Sequence, residues 1–339
     1  MRVIIGMSGG VDSSVAAYLL KKQGYDVIGI FLKNLPYKIS KQRNIDIIGK
    51  SIGIPIYVID VQEEFKKEII QNFINQYKNG FTPNPCVLCN ERIKFGIGIE
   101  KAEEMFGPSL FATGHYAIIE RKNNSFHLKK GKDSLKEQSY FLWRLTQDKL
   151  SKIIFPLGNL TKNEVYKIAS QFSVPHNKRE SQDICFIQGK IKDFLKQHIP
   201  GNKGKIVDIN GRVIGEHNGA FLYTIGQRSG LNVSLGKPMY VIRIDAKDNT
   251  VVLGERKDCL FRYAELTDTN FIENWDFKEK KLMCVMRYRA KESPCILKID
   301  EGKTIVQFDI PQFAVAPGQS LVLYNNDYVF GGGIIKKVR

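Results

Sequence analysis

The feature that most constrains the fold is the order in which the chain opens. A short β-rich run, RVIIGM, meets a glycine-rich turn and then SSVAAYLLKKQG, whose apolar spacing and closing Gly24 predict a helix. YDVIGIFLKN predicts a second strand, IDIIGKSIG a helix, IPIYVIDV a third strand, and the stretch from about Glu63 to Tyr77 another helix. Strand-helix-strand order of this kind returns each strand to one sheet, so the expectation is an α/β fold: a doubly wound parallel sheet with helices on both faces. FTPNPCVLCNERIKFG interrupts the pattern, and its prolines predict an irregular loop that enters a helix near Asn90. SLFATGHYAII predicts one further strand.

Past Ile199 the punctuation changes. PGNKGKIVDINGRVIGEHNG predicts small β elements, and from Leu260 the runs KLMCVMRYR, SPCILKID, TIVQFDI and SLVLYNNDYVFGGGII predict a small β-barrel or sandwich. The 339 residues are therefore expected to divide into a parallel-sheet domain over 1–195, a small central β-rich domain over 196–260 and a C-terminal β-barrel over 261–339. No apolar run reaches the ~18 residues that would span a bilayer, and the amino terminus lacks the pattern of a signal peptide. The expected location is cytoplasmic, with no membrane association and a monomeric chain.

Charge narrows the partners. With 51 Lys and Arg against 35 Asp and Glu the chain carries +16, and residues 121–180 alone hold 13 basic against 5 acidic side chains. A polyanion such as nucleic acid fits that excess, and so does a solvated surface. The six cysteines, at 86, 89, 185, 259, 284 and 295, are spread through a chain without secretory signals, so reduced thiols are expected rather than a disulfide framework. Cys86 and Cys89 form the single Cys-x-x-Cys pair, without the second pair that a four-thiolate zinc site would show, and no metal site is predicted.

The turn Ser8-Gly9-Gly10-Val11-Asp12-Ser13-Ser14 lies between strand and helix, where backbone N–H groups converge with the positive end of the helix dipole. An anion suits that place. Gly9 and Gly10 let the backbone approach phosphate oxygens, Ser8 and Ser13 offer hydroxyls, and Asp12 could hold a magnesium-bound water. The turn is neither G-x-x-x-x-G-K-[ST] nor G-x-G-x-x-G, and it lacks the lysine that reaches a γ-phosphate. Read without other evidence, it is also a strand-to-helix turn with an Asp or Ser cap.

SGGVDS resembles the pyrophosphatase loop of the PP-loop ATPases, which cleave ATP to AMP and pyrophosphate while adenylating an oxygen of their substrate. The likeness extends along the chain to one member, the MnmA-type tRNA 2-thiouridylases: GMSGGVDSSVAA, TPNPCVLCNERIKFG at 82–96, ATGHYA at 112–117, EQSYFLWRL at 137–145, PLGNLTKNEVYKIA at 156–169, ESQDICFI at 180–187, GAFLYTIGQRSGL at 219–231, RYR at 287–289 and VAPGQS at 315–320. This resemblance implies ATP and Mg2+ as cofactors, tRNA as partner, and sulfur transfer to the 2-position of the wobble uridine (position 34) of lysine, glutamate and glutamine tRNAs. ATP adenylates the oxygen, and a protein-bound sulfur displaces AMP.

The resemblance also implies roles residue by residue. Cys185 matches the persulfide carrier, loaded by a sulfur-relay protein or cysteine desulfurase, and Cys89 its partner, which releases the sulfur and leaves a Cys89 to Cys185 disulfide. Gly6, Met7, Ser8, Gly9, Gly10, Val11, Asp12, Ser13, Leu32 and Gly114 match the ATP-binding set. Asn84, Pro85 and Cys86, His115, Lys136, Glu137, Gln138, Arg287, Tyr288 and Gln319 match tRNA contacts. Where many members carry aspartate after Asn-Pro this chain has Cys86, so no carboxylate acid or base stands there.

Local sequence by itself reads differently at several positions. Cys185, flanked by Ile184, Phe186 and Ile187, is a small buried hydrophobe on its neighbours alone, His115 a satisfied structural histidine, and Tyr288 an edge-strand core residue. Cys89, at an expected helix start, is a thiol of lowered pKa. Cys86 with Cys89 is also a redox pair, and Cys259, Cys284 and Cys295 are core or surface thiols. Two other functions stay open here: a PP-loop ligase that forms C–N bonds and needs neither cysteine, and an RNA-binding protein whose loop no longer turns over ATP.

Overall fold

The computed structural model describes the chain except residues 37–38, 173–183, 232, 234–235, 274 and 276–277, and the side chains of 39–43. Glu180, Ser181, Gln182 and Asp183 of the ESQDICFI motif therefore lie outside the described residues. Strands are numbered along the chain. β1 (Arg2–Gly6), β2 (Asp26–Lys33), β3 (Ile56–Asp60), β4 (Leu110–Ala112) and β7 (Ile153–Ile154) form a sheet in the order β3-β2-β1-β4-β7, every pairing parallel. The sheet is buried on both sides, and β1 shows why its sequence is a continuous apolar run rather than an alternating one. Val3 and Ile5 pack with Val15, Ala16 and Leu20 of helix Val11–Lys22 and with Val165 of helix Lys162–Ala169. Ile4 faces the other way, into Phe65, Val87, Phe95 and Phe111 beneath two helices over 62–78 and 85–106. From β1 the order runs to β2 on one side and to β4 on the other, so the carboxyl ends of β1 and β4 flank the switch point where doubly wound sheets bind their ligands.

Two sequence expectations change here. The helix expected near Asn90 begins at Pro85, because Pro fits the first helical position and the Asn84 side chain caps the turn by accepting the Cys86 N–H at 3.1 Å. Its stretch Cys89–Ile97 is a π-helix. SLFATGHYAII is two strands rather than one: β4 stays in the parallel sheet, the chain leaves it through Thr113–Tyr116, and β5 (Ala117–Lys122) pairs antiparallel with β6 (Ser125–Lys130).

β8 (Gly204–Val207), β9 (Val213–His217), β10 (Tyr240–Asp245) and β11 (Thr250–Gly254) make a separate four-stranded sheet. The last six strands are β12 (Leu260–Phe271), β13 (Glu279–Val285), β14 (Ser293–Asp300), β15 (Lys303–Phe313), β16 (Ser320–Asn325) and β17 (Tyr328–Val338). β12 pairs with both β15 and β17, which closes these strands into a barrel and decides against a sandwich. The β5–β6 hairpin leans on the barrel through the Tyr328 and Lys129 pairing, and Val322, Tyr324 and Val329 of the barrel belong to the same apolar cluster as Phe95 and Phe111. Barrel and parallel sheet thus share a core.

Candidate functional site

The turn after β1 is a closed network. The Ser8 N–H donates to Ser13 Oγ at 3.2 Å, the Gly10 N–H to Ser8 Oγ at 3.3 Å, and both Ser13 and Ser14 hydroxyls donate to the Gly10 carbonyl at 3.0 Å. Gly9 sits at φ +79°, a conformation that glycine adopts freely. Gly10 is the N-cap of helix Val11–Lys22 and supplies no side-chain cap, so the first helical N–H groups remain for an external acceptor. The capping role allowed by sequence for Asp12 is not realised.

Asp12 is held from elsewhere. Lys162 Nζ lies 2.6 and 2.8 Å from its two carboxylate oxygens, and the Tyr116 hydroxyl donates to Oδ1 at 2.7 Å. The lysine missing from the loop is therefore brought to it by a helix 150 residues away in sequence. No local signal in PLGNLTKNEV pairs it with Asp12. Gly114 closes the site from β4: a Cβ there would lie 2.8 Å from the Asp12 carbonyl carbon and 2.9 Å from the Ser13 nitrogen. Leu32, at the end of β2, packs on Gly98 of the 85–106 helix, where a Cβ would meet it at 3.0 Å. Gly6, Met7 and Val11 carry the loop, and the Met7 N–H donates to the Ile30 carbonyl at 2.7 Å. Met7 and Val11 are buried, Met7 against Val27 and Ile48.

Magnesium tests the arrangement further. Among the described residues no three His, Cys, Asp or Glu side chains are grouped to hold a metal ion. A magnesium ion here fits only as Mg2+ commonly binds, through one carboxylate, Asp12, together with nucleotide phosphates, and it would compete with Lys162 for that carboxylate.

The same helix that touches Leu32 carries two thiols, Cys86 and Cys89. Cys86 and Cys89 are half-buried and Cys185 is exposed. Cys185 stands in a turn closed by the Ile187 N–H on the Ile184 carbonyl at 3.1 Å, and its neighbour Phe186 is wedged against Phe65 and Phe73 with ring centroids 6.0 and 5.3 Å apart. That anchor brings Cys185 into electrostatic range of Cys89 across the intervening sequence. The local reading of Cys185 as a buried hydrophobe is thereby corrected, since Phe186 and Ile187 take the interior and the thiol takes the surface. The activated Cys89 expected from a helix start is also corrected. Burial pushes its thiol up to about 12, Lys94 pulls in the opposite direction, and charge on Cys185 or Cys86 adds to the rise. Lys94 lies five positions after Cys89 within the π-helix, whose i→i+5 closure brings such residues toward one face. Among the described residues no hydrogen bond or ion pair holds it, and its charge also reaches His115. Sequence reading passed over Lys94 because only the π register places it there.

The residues expected at tRNA divide into two groups. Arg287 is exposed, and Tyr288 beside it packs on Phe141 at 4.4 Å between ring centroids, with Arg289 over its other side at 5.2 Å. The others are engaged within the protein. His115 is buried between Phe95 and Phe155, bonded to Thr113 Oγ1 at 2.6 Å through Nδ1, and burial followed by the Lys94 charge keeps it well below the usual imidazole range. Gln138 Oε1 accepts the Tyr116 N–H at 3.0 Å, and the Glu137 carboxyl, raised by burial, accepts the Ser139 N–H at 2.5 Å. Lys136 is half-buried beside them. Gln319 donates to the Thr82 carbonyl at 2.7 Å, and Thr82 donates its N–H to Pro317 at 2.8 Å, so the VAPGQS turn of the barrel grips the approach to Asn84 and the buried Pro85. Among the described residues over 121–180, the basic side chains of Lys122, Lys129, Lys130, Lys132, Arg144, Lys152 and Lys162 are in ion pairs. The basic stretch is in good part an internal scaffold. Cys259, Cys284 and Cys295 are all buried.

Family models cover nearly the whole chain in this order: a tRNA methyl transferase HUP domain at residues 1–189, a tRNA methyl transferase PRC-barrel domain at 192–255 and an aminomethyltransferase beta-barrel domain at 264–335. The tRNA-specific 2-thiouridylase MnmA 2 of Thermoanaerobacter sp. (strain X514) is 45% identical, with 99% of this chain and 98% of that protein covered. The chain belongs to the tRNA-specific 2-thiouridylase family. The tRNA-specific 2-thiouridylase MnmA of Clostridioides difficile (strain 630) is 41% identical, again over 99% of this chain and 98% of that protein. As expected for a 2-thiouridylase of this family, the architecture is a PP-loop parallel sheet, a small middle domain and a closed C-terminal barrel. Among the described residues no helix is long and apolar enough to cross a membrane.

Proposed function

We propose that the chain is an ATP-dependent tRNA-uridine 2-sulfurtransferase, acting on the 2-position oxygen of the wobble uridine of lysine, glutamate and glutamine tRNAs. The observation that carries the reading is that Cys185, on its Phe186-anchored turn, lies within electrostatic range of Cys89, far away in sequence, on a helix whose other contacts reach Leu32 and His115 at the phosphate end of the sheet. Methyl transfer, the activity in the descriptions of the matching family models, gives neither thiol a role. A C–N ligase gives them none either.

The first step falls to the β1 turn. Its free helical N–H groups and Gly9 backbone bind the triphosphate, Lys162 and Asp12 set the charge balance there, and Gly114 allows the β4 turn to close on the loop. Adenylation turns the uridine oxygen into a leaving group. Mg2+, when bound, neutralises phosphate charge, and Asp12 is the residue that would hold it. The second step falls to the thiols. An exposed Cys185 is open to a sulfur-relay protein or cysteine desulfurase, and the persulfide it carries supplies the sulfur. Cys89 attacks the inner sulfur of that persulfide, the terminal sulfur leaves as the nucleophile that displaces AMP, and a Cys89 to Cys185 disulfide remains. Lys94 favours the charged form of Cys89 during that attack. Arg287 and the Tyr288–Phe141 pair form the tRNA surface on the barrel side.

The test is direct. Purified protein is incubated with ATP, magnesium, a sulfide donor and unmodified tRNA, beside Cys185→Ala, and the digested RNA is searched by mass spectrometry for 2-thiouridine. Production by the parent alone is the expected result. AMP and pyrophosphate without thiouridine would sink the substrate, and no pyrophosphate at all would leave a binding protein.

A further inference from the structure

Cys86 has no part in that scheme, yet helix geometry makes it the thiol nearest to Cys89 along the chain. Residues 85–88 are α-helical and Cys89 continues at φ −63°, ψ −41°. Three residues along an α-helix put Cα atoms about 5 Å apart, within the range of roughly 4.4–6.8 Å that a disulfide spans. Cys89 therefore has Cys86 one turn before it on its own helix, and charge on Cys86 or on Cys185 of the Phe186-anchored turn is felt at its sulfur. Cys86 and Cys185 differ. Cys86 is half-buried in the first turn of a helix that continues to residue 106, with its backbone N–H held by the Asn84 side chain at 3.1 Å. Cys185 is exposed, so water solvates the charge it bears on leaving.

We propose that Cys86 is the resolving thiol of the catalytic cycle. The inference rests on the sulfur-transfer reading above. Once sulfur release has joined Cys89 to Cys185, the Cys86 thiolate attacks Cys89 Sγ, the Cys89–Cys185 bond breaks, and its electron pair leaves on Cys185 Sγ. One S–S bond replaces another, nothing is oxidised or reduced overall, and the proton given up by Cys86 passes to solvent or to Cys185. The products are a Cys86–Cys89 disulfide and a free Cys185 ready to be reloaded. The external thiol reductant that every turnover requires then acts on the helix pair, while the sulfur donor acts on Cys185.

The experiment follows one turnover of the full-length protein. Cys185 is loaded with persulfide, excess donor and reductant are removed, ATP, magnesium and unmodified tRNA are added, and the mixture is quenched with an alkylating agent for peptide mapping and nucleoside analysis. The expected parent product is 2-thiouridine with a Cys86–Cys89 disulfide and alkylated Cys185. Cys86→Ser should instead be trapped as Cys89–Cys185. A parent that makes thiouridine and keeps the Cys89–Cys185 bond beside an alkylated Cys86 overturns the hand-off and leaves the sulfurtransferase reading intact. So do three thiols that resist alkylation in anaerobically prepared protein until iron is removed, because thiolates held by a metal cluster are not free to exchange. Absence of thiouridine overturns the reading and the hand-off together. The parent alone decides the matter, so the folding of the variant is not critical.

Discussion

The phosphate loop and the thiol cluster sit on the same parallel sheet and are prepared to very different degrees. At the loop every side chain has its partner in place: Ser8, Ser13 and Ser14 are bonded within the turn, Asp12 is bound by Lys162 and Tyr116, and Gly114 fills the approach from β4. At the thiols, Cys89 is held as a neutral thiol by burial while Cys185 faces solvent. Under the proposed function, the difference teaches that nucleotide binding uses a preformed site, whereas sulfur release needs a group still to be activated. A reactive persulfide that stays quiet until tRNA is adenylated is protected from wasteful discharge.

Four measurements can break or sharpen that contrast. The largest effect is expected from Gly114→Val, whose side chain would force the Asp12–Ser13 backbone away from contacts of 2.8 and 2.9 Å. Displacing a preorganised site by about 1 Å costs on the order of 100-fold, so ATP-dependent pyrophosphate release should fall by that much while persulfide loading of Cys185, read by intact-protein mass, stays normal. Loss of both would mean that the two ends are one unit. Lys162→Met comes next. It leaves Asp12 with Tyr116 alone, and removing a charged hydrogen-bonding partner of the phosphates should cost roughly 10- to 100-fold in kcat/KM, seen as a raised KM for ATP. A lowered melting temperature with an unchanged KM would confine Lys162 to a structural role.

The third measurement is a pH profile. With Cys89 pushed up to about 12, its thiolate fraction grows about tenfold per pH unit below that value. Single-turnover sulfur transfer should therefore climb without a plateau from pH 7 to 9, and Lys94→Met should lower the whole line, about threefold to tenfold, without changing its slope. A plateau near pH 8 would show that tRNA docking moves Cys89 out of its present setting. The smallest effect is expected at Gln319→Ala, which removes the 2.7 Å bond to Thr82. A loss of about 1 kcal/mol is the ordinary value for such a bond, measurable by denaturant unfolding. A tenfold weaker affinity for tRNA at unchanged stability would instead place Gln319 on the RNA.

The β-α-β order and the glycine-rich turn between strand and helix were legible because each depends on neighbours in sequence, whereas the role proposed for Cys185 came from the family resemblance and not from its neighbours. Apolar periodicity sets strands and helices, glycine permits the φ of +79° at Gly9, and strand-turn-helix order puts N–H groups at one point. Even the misplaced start of the 85–106 helix was a local matter, since Asn84 and Pro85 are cap and first-turn residues. The roles of Lys162, Lys94, Gln138 and Gln319 were not legible, and the reason is physical. A lysine 150 residues from Asp12, a cation turned toward Cys89 by a π register, and two glutamines spent on backbone groups of other segments are pairings that only packing creates. The sequence by itself determined the elements and the glycine-rich turn between the first strand and helix. Tertiary structure alone decided which charges are neutralised inside, which thiol is half-buried and which is open, because desolvation and long-range contact exist only once the sheet, the helix over 85–106 and the barrel share one core.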